Sequence, residues 1–312
     1  MQSAVSRGRS LALALSAVAA GALHAGCSVA TATPGEDAGA TEQDGGPPLD
    51  AGARASDSGL ADAGRQDAST PRARVLLVTC SAGYQHEVVT RGAGGEPSLV
   101  ETTIAELAAE LGAEVSTLYD PAELAATTPE AMASVDAFVF FTSGELPFPD
   151  ATRAAVIDRV RAGAGLVGIH SATDTFRAWT PWAETIGATQ YADLPDFPWC
   201  ECHPWHQAVI VNVEDRASAI TAHLGDRWSV LDEIYQFDDF SRDRVHVLLS
   251  LDRTSVDLSR ASRTDGDFGL AWTRNVGSGR VFYLALGHEP ALFGDVAYRT
   301  LLHEGLSFAI GR

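Results

Sequence analysis

The sequence predicts an α/β fold, a doubly wound and mostly parallel sheet that continues into an antiparallel portion near the C-terminus. Two observations indicate this class. Between residues 74 and 169, short apolar runs typical of strands buried on both faces alternate with segments of helical spacing. Between residues 208 and 286, apolar runs follow one another, with a hairpin-like turn before the last. Alternating strands and helices build parallel sheets through right-handed crossovers, whereas strands joined by tight turns pair antiparallel.

The first half of the folded region contains four predicted strands and two predicted helices. The strands are Val75–Cys80, Glu114–Tyr119, Val135–Phe141 and Gly165–Ile169. One helix spans Pro97–Leu111, where apolar residues recur at helical spacing, and it stops at Gly112. The other spans Ala151–Arg161, with Asp150 as the expected N-cap and Gly163 after its end.

The second half is predicted to be mainly strands. They are Ala208–Val213, Val245–Leu251, Gly269–Thr273 and Arg280–Leu286. The turn Val276–Gly279 contains two glycines, which favour a tight hairpin connection. A terminal helix is expected over Asp295–Ile310.

Composition limits the classes of function. The 312 residues are 46% hydrophobic, enough for one large domain with a sizeable core. The net charge of −19 argues against nucleic-acid binding through a basic face.

The N-terminus has the pattern of an export signal. Two arginines precede an apolar stretch of about 13 residues, too short for a spanning helix, which needs about 20. Small residues then precede Cys27, as in the lipobox of bacterial lipoproteins, so we expect residues 1–26 to be a signal peptide and Cys27 to be lipidated. His24 departs from the lipobox, which leaves plain secretion or a structural helix as alternatives. Ser28 favours retention at the outer membrane over the inner one, with the acyl chains in the bilayer.

Residues 27–73 contain almost no large apolar side chains and are rich in Ala, Gly, Asp, Ser and Pro. Such a segment cannot bury enough surface to offset its ordering entropy. We therefore expect a disordered linker followed by a folded domain over residues 74–312.

Residues whose side chains are suited to catalysis or ligand binding lie at or just after the ends of apolar segments. In chain order they are Tyr84, His86, His170, Asp174, Thr175, His203, Trp205, Asp232, Glu233, Tyr235 and His288. Ligands bind at the carboxyl ends of parallel strands, where these loops are expected to converge. Histidine with carboxylates suits zinc or another first-row divalent ion. Without metal, the same set would serve as general acid and base near neutral pH. For each residue alone, plain packing or solvent exposure remains the alternative reading.

The cysteines give less information. Cys80 is expected to be a buried apolar residue. Cys200 and Cys202 are too close in sequence for a usual zinc pair, and a disulfide between them would be strained.

These segments together resemble the ThuA-like (trehalose utilisation) family. The resemblance runs from Val75 to Gly311, and its most specific parts are Gly168–Thr175 and Leu286–His288. The family is itself similar to class I glutamine amidotransferases, which implies a flavodoxin-like sheet. Those enzymes carry a nucleophilic cysteine in Gly-x-Cys-x-Gly, whereas here His170 takes the place of the cysteine and Ala172 that of the second glycine. This argues against glutaminase chemistry, and Ser171 lacks the Gly-x-Ser-x-Gly context of a nucleophile.

The resemblance implies breakdown of glycosides or disaccharides through 3-keto sugars, alongside a partner oxidoreductase. We expect catalysis by His170, Asp174, Asp232 and Glu233. We expect binding of a sugar-derived molecule by Tyr84, His86, Thr175, Trp205 and Tyr235, with Trp199 as a further aromatic. A metal ion would be ligated by His170, His203 and His288. The alternative is a non-catalytic carbohydrate-binding or interaction domain, and core packing is an equally good reading of the aromatic residues.

Overall fold

A mixed sheet organises the part of the chain that this computed structural model describes, residues 72–189 and 203–312. Its strands are β1 (Ala73–Val78), β2 (Ala113–Leu118), β3 (Ala137–Phe140), β4 (Gly165–Ile169), β5 (Trp205–Val213), β6 (Arg227–Ile234), β7 (His246–Leu251), β8 (Gly269–Val276) and β9 (Gly279–Leu284). The helices are α1 (Leu99–Glu110), α2 (Pro121–Ala126), α3 (Pro129–Met132), α4 (Asp150–Arg161), α5 (Thr180–Ile186) and α6 (Val296–Ile310).

The strand order is β2-β1-β3-β4-β9-β8-β7-β5-β6. The first five are parallel neighbours, in the order that defines flavodoxin-like sheets. The remaining strands extend this sheet by antiparallel pairing. The predicted fold class is thus confirmed. The innermost parallel strands, β3 and β4, are buried along their whole length, as their apolar sequences require.

One edge of the sheet collects the loops that carry most of the predicted site residues. β1, β3, β4 and β9 run parallel and end at this edge. Four successive antiparallel steps then lead from β9 to β6, so β6 also ends there and β5 begins there. Residues that follow β1, β4, β6 and β9, or that precede β5, therefore share one edge.

Several elements differ from the sequence-based expectation. β5 begins at Trp205, three residues before the predicted start, and β6 was not predicted. The short helices α2, α3 and α5 were also missed. Asp150 is the first residue of α4 and pairs with Arg153 at 2.9 Å, while Pro149 occupies the N-cap position that was predicted for Asp150.

Some predictions fall on residues outside the described ranges. These are the signal peptide, Cys27, the linker up to residue 71, Trp199, and the Cys200 and Cys202 pair. The described chain already enters β1 at Ala73, one residue before the predicted domain boundary. Cys80 is buried, as expected, and it is a free cysteine. None of the helices in the described ranges has the length and apolarity needed to cross a membrane.

The start of α1 is fixed by a buried carboxylate. The Ser98 backbone N–H donates to the Glu101 side chain at 2.7 Å, and the Ser98 hydroxyl accepts from the Glu101 backbone, which completes a capping box. Arg91 donates to the same carboxylate at 2.6 Å. Burial alone would raise the pKa of Glu101, but the hydrogen bonds from Arg91 and Ser98 lower it below its ordinary value.

Glu101→Gln removes this charge at nearly constant size, and we expect the free energy of unfolding to fall by about 2 kcal/mol near neutral pH. Because the pKa of Glu101 is lower in the folded chain, the native contribution is complete above the ordinary pKa of 4.5 and is lost as the pH falls through the folded-state pKa. The free energies of unfolding of the wild type and of Glu101→Gln, measured with urea, should therefore become equal in acid. Glu110→Gln, at the exposed end of the same helix, is the control, and equal loss in both variants would contradict this account.

Candidate functional site

His170 lies at a sharp turn directly after β4. Its backbone has φ +49°, a left-handed conformation that non-glycine residues seldom adopt. Ile169 pairs with Leu284 in the sheet, so the next residues of both strands, His170 and Ala285, are neighbours. His170 Nδ1 is 2.7 Å from the Ala285 carbonyl oxygen. Since a carbonyl only accepts, Nδ1 carries a proton, and Nε2 is the ring nitrogen that lies next to Glu233.

The loop after β9 passes close to this turn and requires glycine. Gly287 has φ +145°, and a Cβ placed on it would lie 2.8 Å from the Tyr298 hydroxyl and 3.4 Å from the His170 Cβ. Both the backbone conformation and the lack of space exclude a larger residue without displacement. This close approach brings the following residue, His288, to within 5.6 Å of His170, measured between ring centroids.

Glu233 is the centre of the site. Its carboxylate oxygens lie 3.4 Å from His170 Nε2, 3.1 Å from His203 Nδ1 and 3.2 Å from His288 Nδ1. Burial opposes the charge on Glu233, but the surrounding histidines hold its pKa far below the usual range. Glu233 is therefore ionised and weakly basic.

His86 completes the group from the loop after β1. It is buried, and its ring centroid lies 4.7 Å from that of His170 and 5.2 Å from that of His288. Burial, reinforced by the neighbouring histidines, lowers the pKa of His86 to about 2, so its ring is neutral. Glu233 has the opposite effect on His288, whose pKa it raises through a close contact. We call Glu233 with His86, His170, His203 and His288 the Glu233 cluster.

Asp232 joins two distant parts of the sheet. Its carboxylate accepts hydrogen bonds from the backbone N–H groups of Gly287 at 2.6 Å and Glu289 at 2.9 Å. In strand order, β6 lies four positions from β9, or roughly 19 Å at ordinary strand spacing. However, β5 pairs with β7 only over residues 211–213, whereas it pairs with β6 over residues 205–212. The start of β5 and the end of β6 are therefore not held by β7, and this part of the hairpin can fold over the edge of the sheet.

This geometry changes the role predicted for Asp232. Both of its oxygens are engaged with backbone, the residue is fully buried, and burial raises its pKa. Its bonds bring Glu233 and His288 together, so the geometry favours a positioning role for Asp232 over the catalytic role that the sequence predicts.

The two predicted sugar-binding aromatics on β5 and just after β6 are core residues. Trp205 is fully buried, packs on Phe268 and donates to the Asp257 carbonyl oxygen at 3.1 Å. Tyr235 is 2% exposed and stacks on His170, with its hydroxyl 2.9 Å from His170 Nε2. Neither ring offers a face to a sugar, which corrects the expected platform. β5 begins at Trp205, and side chains alternate between the two faces of a strand. Trp205 therefore points to the buried face, and the next residue, His206, is exposed.

The other predicted residues divide between the site and its supports. Tyr84 is 66% exposed and meets His86 edge-on at 4.8 Å, so it stays next to the cluster on the open side. Thr175 is buried and bonds to Thr142 at 2.6 Å, which ties the loops after β3 and β4. Asp174 pairs with Arg177 at 3.0 Å and is not among the residues that surround Glu233.

Two residues near the cluster were missing from the predicted site. His206 Nε2 lies 2.5 Å from Glu289 Oε1, and its ring centroid is 4.9 Å from that of His288. Strand alternation from Trp205 would have indicated that His206 faces outward, but only if the start of β5 had been placed correctly.

The parallel half-sheet and its strained turn define the class of this protein, a flavodoxin-like α/β domain with a histidine and carboxylate site at the carboxyl edge. The sequence matches the model of the ThuA family, described as trehalose utilisation, over residues 74–309. This chain therefore belongs to the ThuA family.

Solved structures agree on the fold. A ThuA-like protein from Bacteroides uniformis is similar with a TM-score of 0.60 and 22% identity, over 78% of this chain and 93% of that one. A second, from Parabacteroides merdae, has a TM-score of 0.58 and 16% identity, over 78% and 91% of the two chains. Among proteins with curated descriptions, none matches this sequence.

Gly287→Ala tests the close approach of the two loops. We expect it to lower the free energy of unfolding by about 1–3 kcal/mol, because the added Cβ meets the Tyr298 hydroxyl in a backbone conformation that alanine disfavours. Gly294→Ala is the matched control, since its Cβ would meet nothing within 4 Å. Urea unfolding measures both. Equal stability of the two variants would show that the loop does not pack as described.

Proposed function

We propose that the Glu233 cluster transfers protons on a sugar-derived ketone, in the breakdown of glycosides or disaccharides through 3-keto sugars. The observation that carries the proposal is an ionised carboxylate in contact with three imidazoles, two of which, on His203 and His288, are partly exposed. Groups of this kind are suited to moving protons near neutral pH. The description of the family, trehalose utilisation, supports a carbohydrate substrate.

His203 is the best candidate for the base. Its Nδ1 lies 3.1 Å from Glu233, and one third of its side chain is exposed. A carboxylate that accepts the Nδ1 proton leaves Nε2 free to take a proton from a substrate. Glu233 itself is too weak a base, because its pKa is held so low. His170 is fully buried, with its ring nitrogens next to Ala285 and Tyr235, so it is a less suitable base than the sequence alone suggested.

His288 supplies the complementary electrophile. Because Glu233 raises its pKa, His288 retains a proton to higher pH and can donate a hydrogen bond to a ketone oxygen as negative charge develops there. A bound divalent ion would supply the same polarisation.

The proposed reaction is a net hydrolysis. The base takes the proton from C2 of a 3-keto glycoside, and the electron pair of that C–H bond forms an enolate with the C3 oxygen. The bond from C1 to the glycosidic oxygen then breaks, and the leaving oxygen takes a proton. Water adds to C1 of the resulting unsaturated ketone, which restores the proton at C2. The C3 ketone itself is formed by oxidation of an alcohol, which is the role we propose for a partner oxidoreductase.

His203→Gln tests the base. In D₂O, wild-type protein with a methyl 3-keto-glucoside should exchange the C2 proton, as followed by NMR, and His203→Gln should lose this exchange by at least about 100-fold. His223→Gln changes a histidine that bonds to the Ala297 carbonyl, outside the cluster, and is the control. Wild-type exchange at the buffer rate would refute the reaction, and sugar binding without exchange would favour the binding domain instead.

We also propose that the protein is exported and held at the cell envelope, at the outer membrane, by acyl chains on Cys27. The support is the sequence pattern before Cys27. Cys27→Ser should move the protein from the membrane fraction to the soluble fraction and abolish its labelling by a palmitate analogue. Unchanged fractionation and labelling would contradict the anchor.

A further inference from the structure

Four side chains of the Glu233 cluster meet the distance requirement of a metal centre. One ligating atom from each of His86, His170, Glu233 and His288 lies within 4.8 Å of all the others. Bonds of about 2.0–2.2 Å around one ion would place such atoms about 3–4 Å apart. Shifts of under about 1 Å in each ligating atom would therefore close the group around an ion.

Two nitrogens in this group are buried without a hydrogen-bond partner. They are Nδ1 of His86 and Nδ1 of His288. The latter lies 3.2 Å from Glu233, but the direction of the contact is not that of a hydrogen bond. A buried polar atom without a partner costs free energy, and two of them in one group of four side chains are unusual. A cation between them and Glu233 would satisfy both.

His170 is prepared as a ligand. Its Nδ1–H bond to the Ala285 carbonyl leaves Nε2, 3.4 Å from Glu233, as the nitrogen that would ligate an ion. A second hydrogen bond of this kind is the usual companion of a metal-ligating histidine. The Tyr235 hydroxyl is 2.9 Å from the same nitrogen and would have to release it, because one lone pair cannot serve both. His203 contacts the other oxygen of Glu233 and would orient that ligand from outside.

We propose that His86, His170, Glu233 and His288 bind one first-row divalent transition-metal ion. Three imidazoles and one carboxylate favour zinc or its neighbours over magnesium or calcium, which prefer oxygen ligands. This set differs from the one predicted from sequence, because His86 and Glu233 join while His203 moves outside. The inference goes beyond the proposed reaction, since it needs no sugar to be tested.

The experiment loads the full-length protein with Co²⁺ and Zn²⁺ after treatment with chelator, then removes free ion on a desalting column. We expect about one ion per chain, a visible Co²⁺ spectrum typical of nitrogen and oxygen ligation, and a higher melting temperature with Zn²⁺. His86→Ala and Glu233→Gln should each weaken binding by at least about 100-fold, because even indirect partners of a metal cost 10–100-fold. Circular dichroism checks that each variant is folded.

His206→Ala discriminates between two sites, because His206, His288 and Glu289 form a neighbouring group of potential ligands. We expect His206→Ala to retain the ion. Absence of retained ion in the wild type, or binding that survives His86→Ala and Glu233→Gln but not His206→Ala, would overturn the proposal. A bound ion without turnover of the 3-keto glucoside would refute the proposed reaction but not the metal site. Turnover by protein shown to be free of metal would mean that the reaction does not need the ion.

Discussion

The site depends on the two hydrogen bonds that Asp232 accepts from the loop after β9. Strand order alone would leave the end of β6 far from β4 and β9. The bonds to the backbone of Gly287 and Glu289 hold the β5–β6 hairpin over the edge of the sheet, and the next residue, Glu233, thereby enters a ring of histidines. A fully buried carboxylate is costly unless its oxygens are satisfied, so this contact is an anchor that fixes where Glu233 and His288 lie.

The turn after β4 is sharp and presents a histidine at the edge of the sheet. His170 adopts a left-handed backbone conformation, and Gly287 provides the space next to it. An imidazole at this place can accept a proton or bind a metal. Since Nδ1 is held by the Ala285 carbonyl, the chemistry of His170 is limited to Nε2. The turn therefore places one imidazole nitrogen of His170 among the histidines that surround Glu233.

Much of the parallel half could be predicted from sequence, because strands such as β1 and β4 are continuous apolar runs, and polar residues mark their ends. β6 could not, because its charged end and exposed Leu231 hide the alternation of a strand. For the same reason Asp232 and Glu233 were grouped together, although as neighbours on a strand they point to opposite faces and take different roles. The residue types of Trp205 and Tyr235 do not tell whether these rings bind a sugar or pack in the core, since only the fold reveals that they are buried.

The central claim is that Asp232 assembles the cluster through Glu233, and histidine ring ¹⁵N chemical shifts measure it most directly. Three histidines contact Glu233, whereas His223 and His246 bond to other partners and serve as internal references. Asp232→Asn should shift the ring signals of His170, His203 and His288, and Glu233→Gln should shift the same three, while the two references stay unchanged. If Asp232→Asn folds and leaves all of these signals at their wild-type positions, the account is wrong.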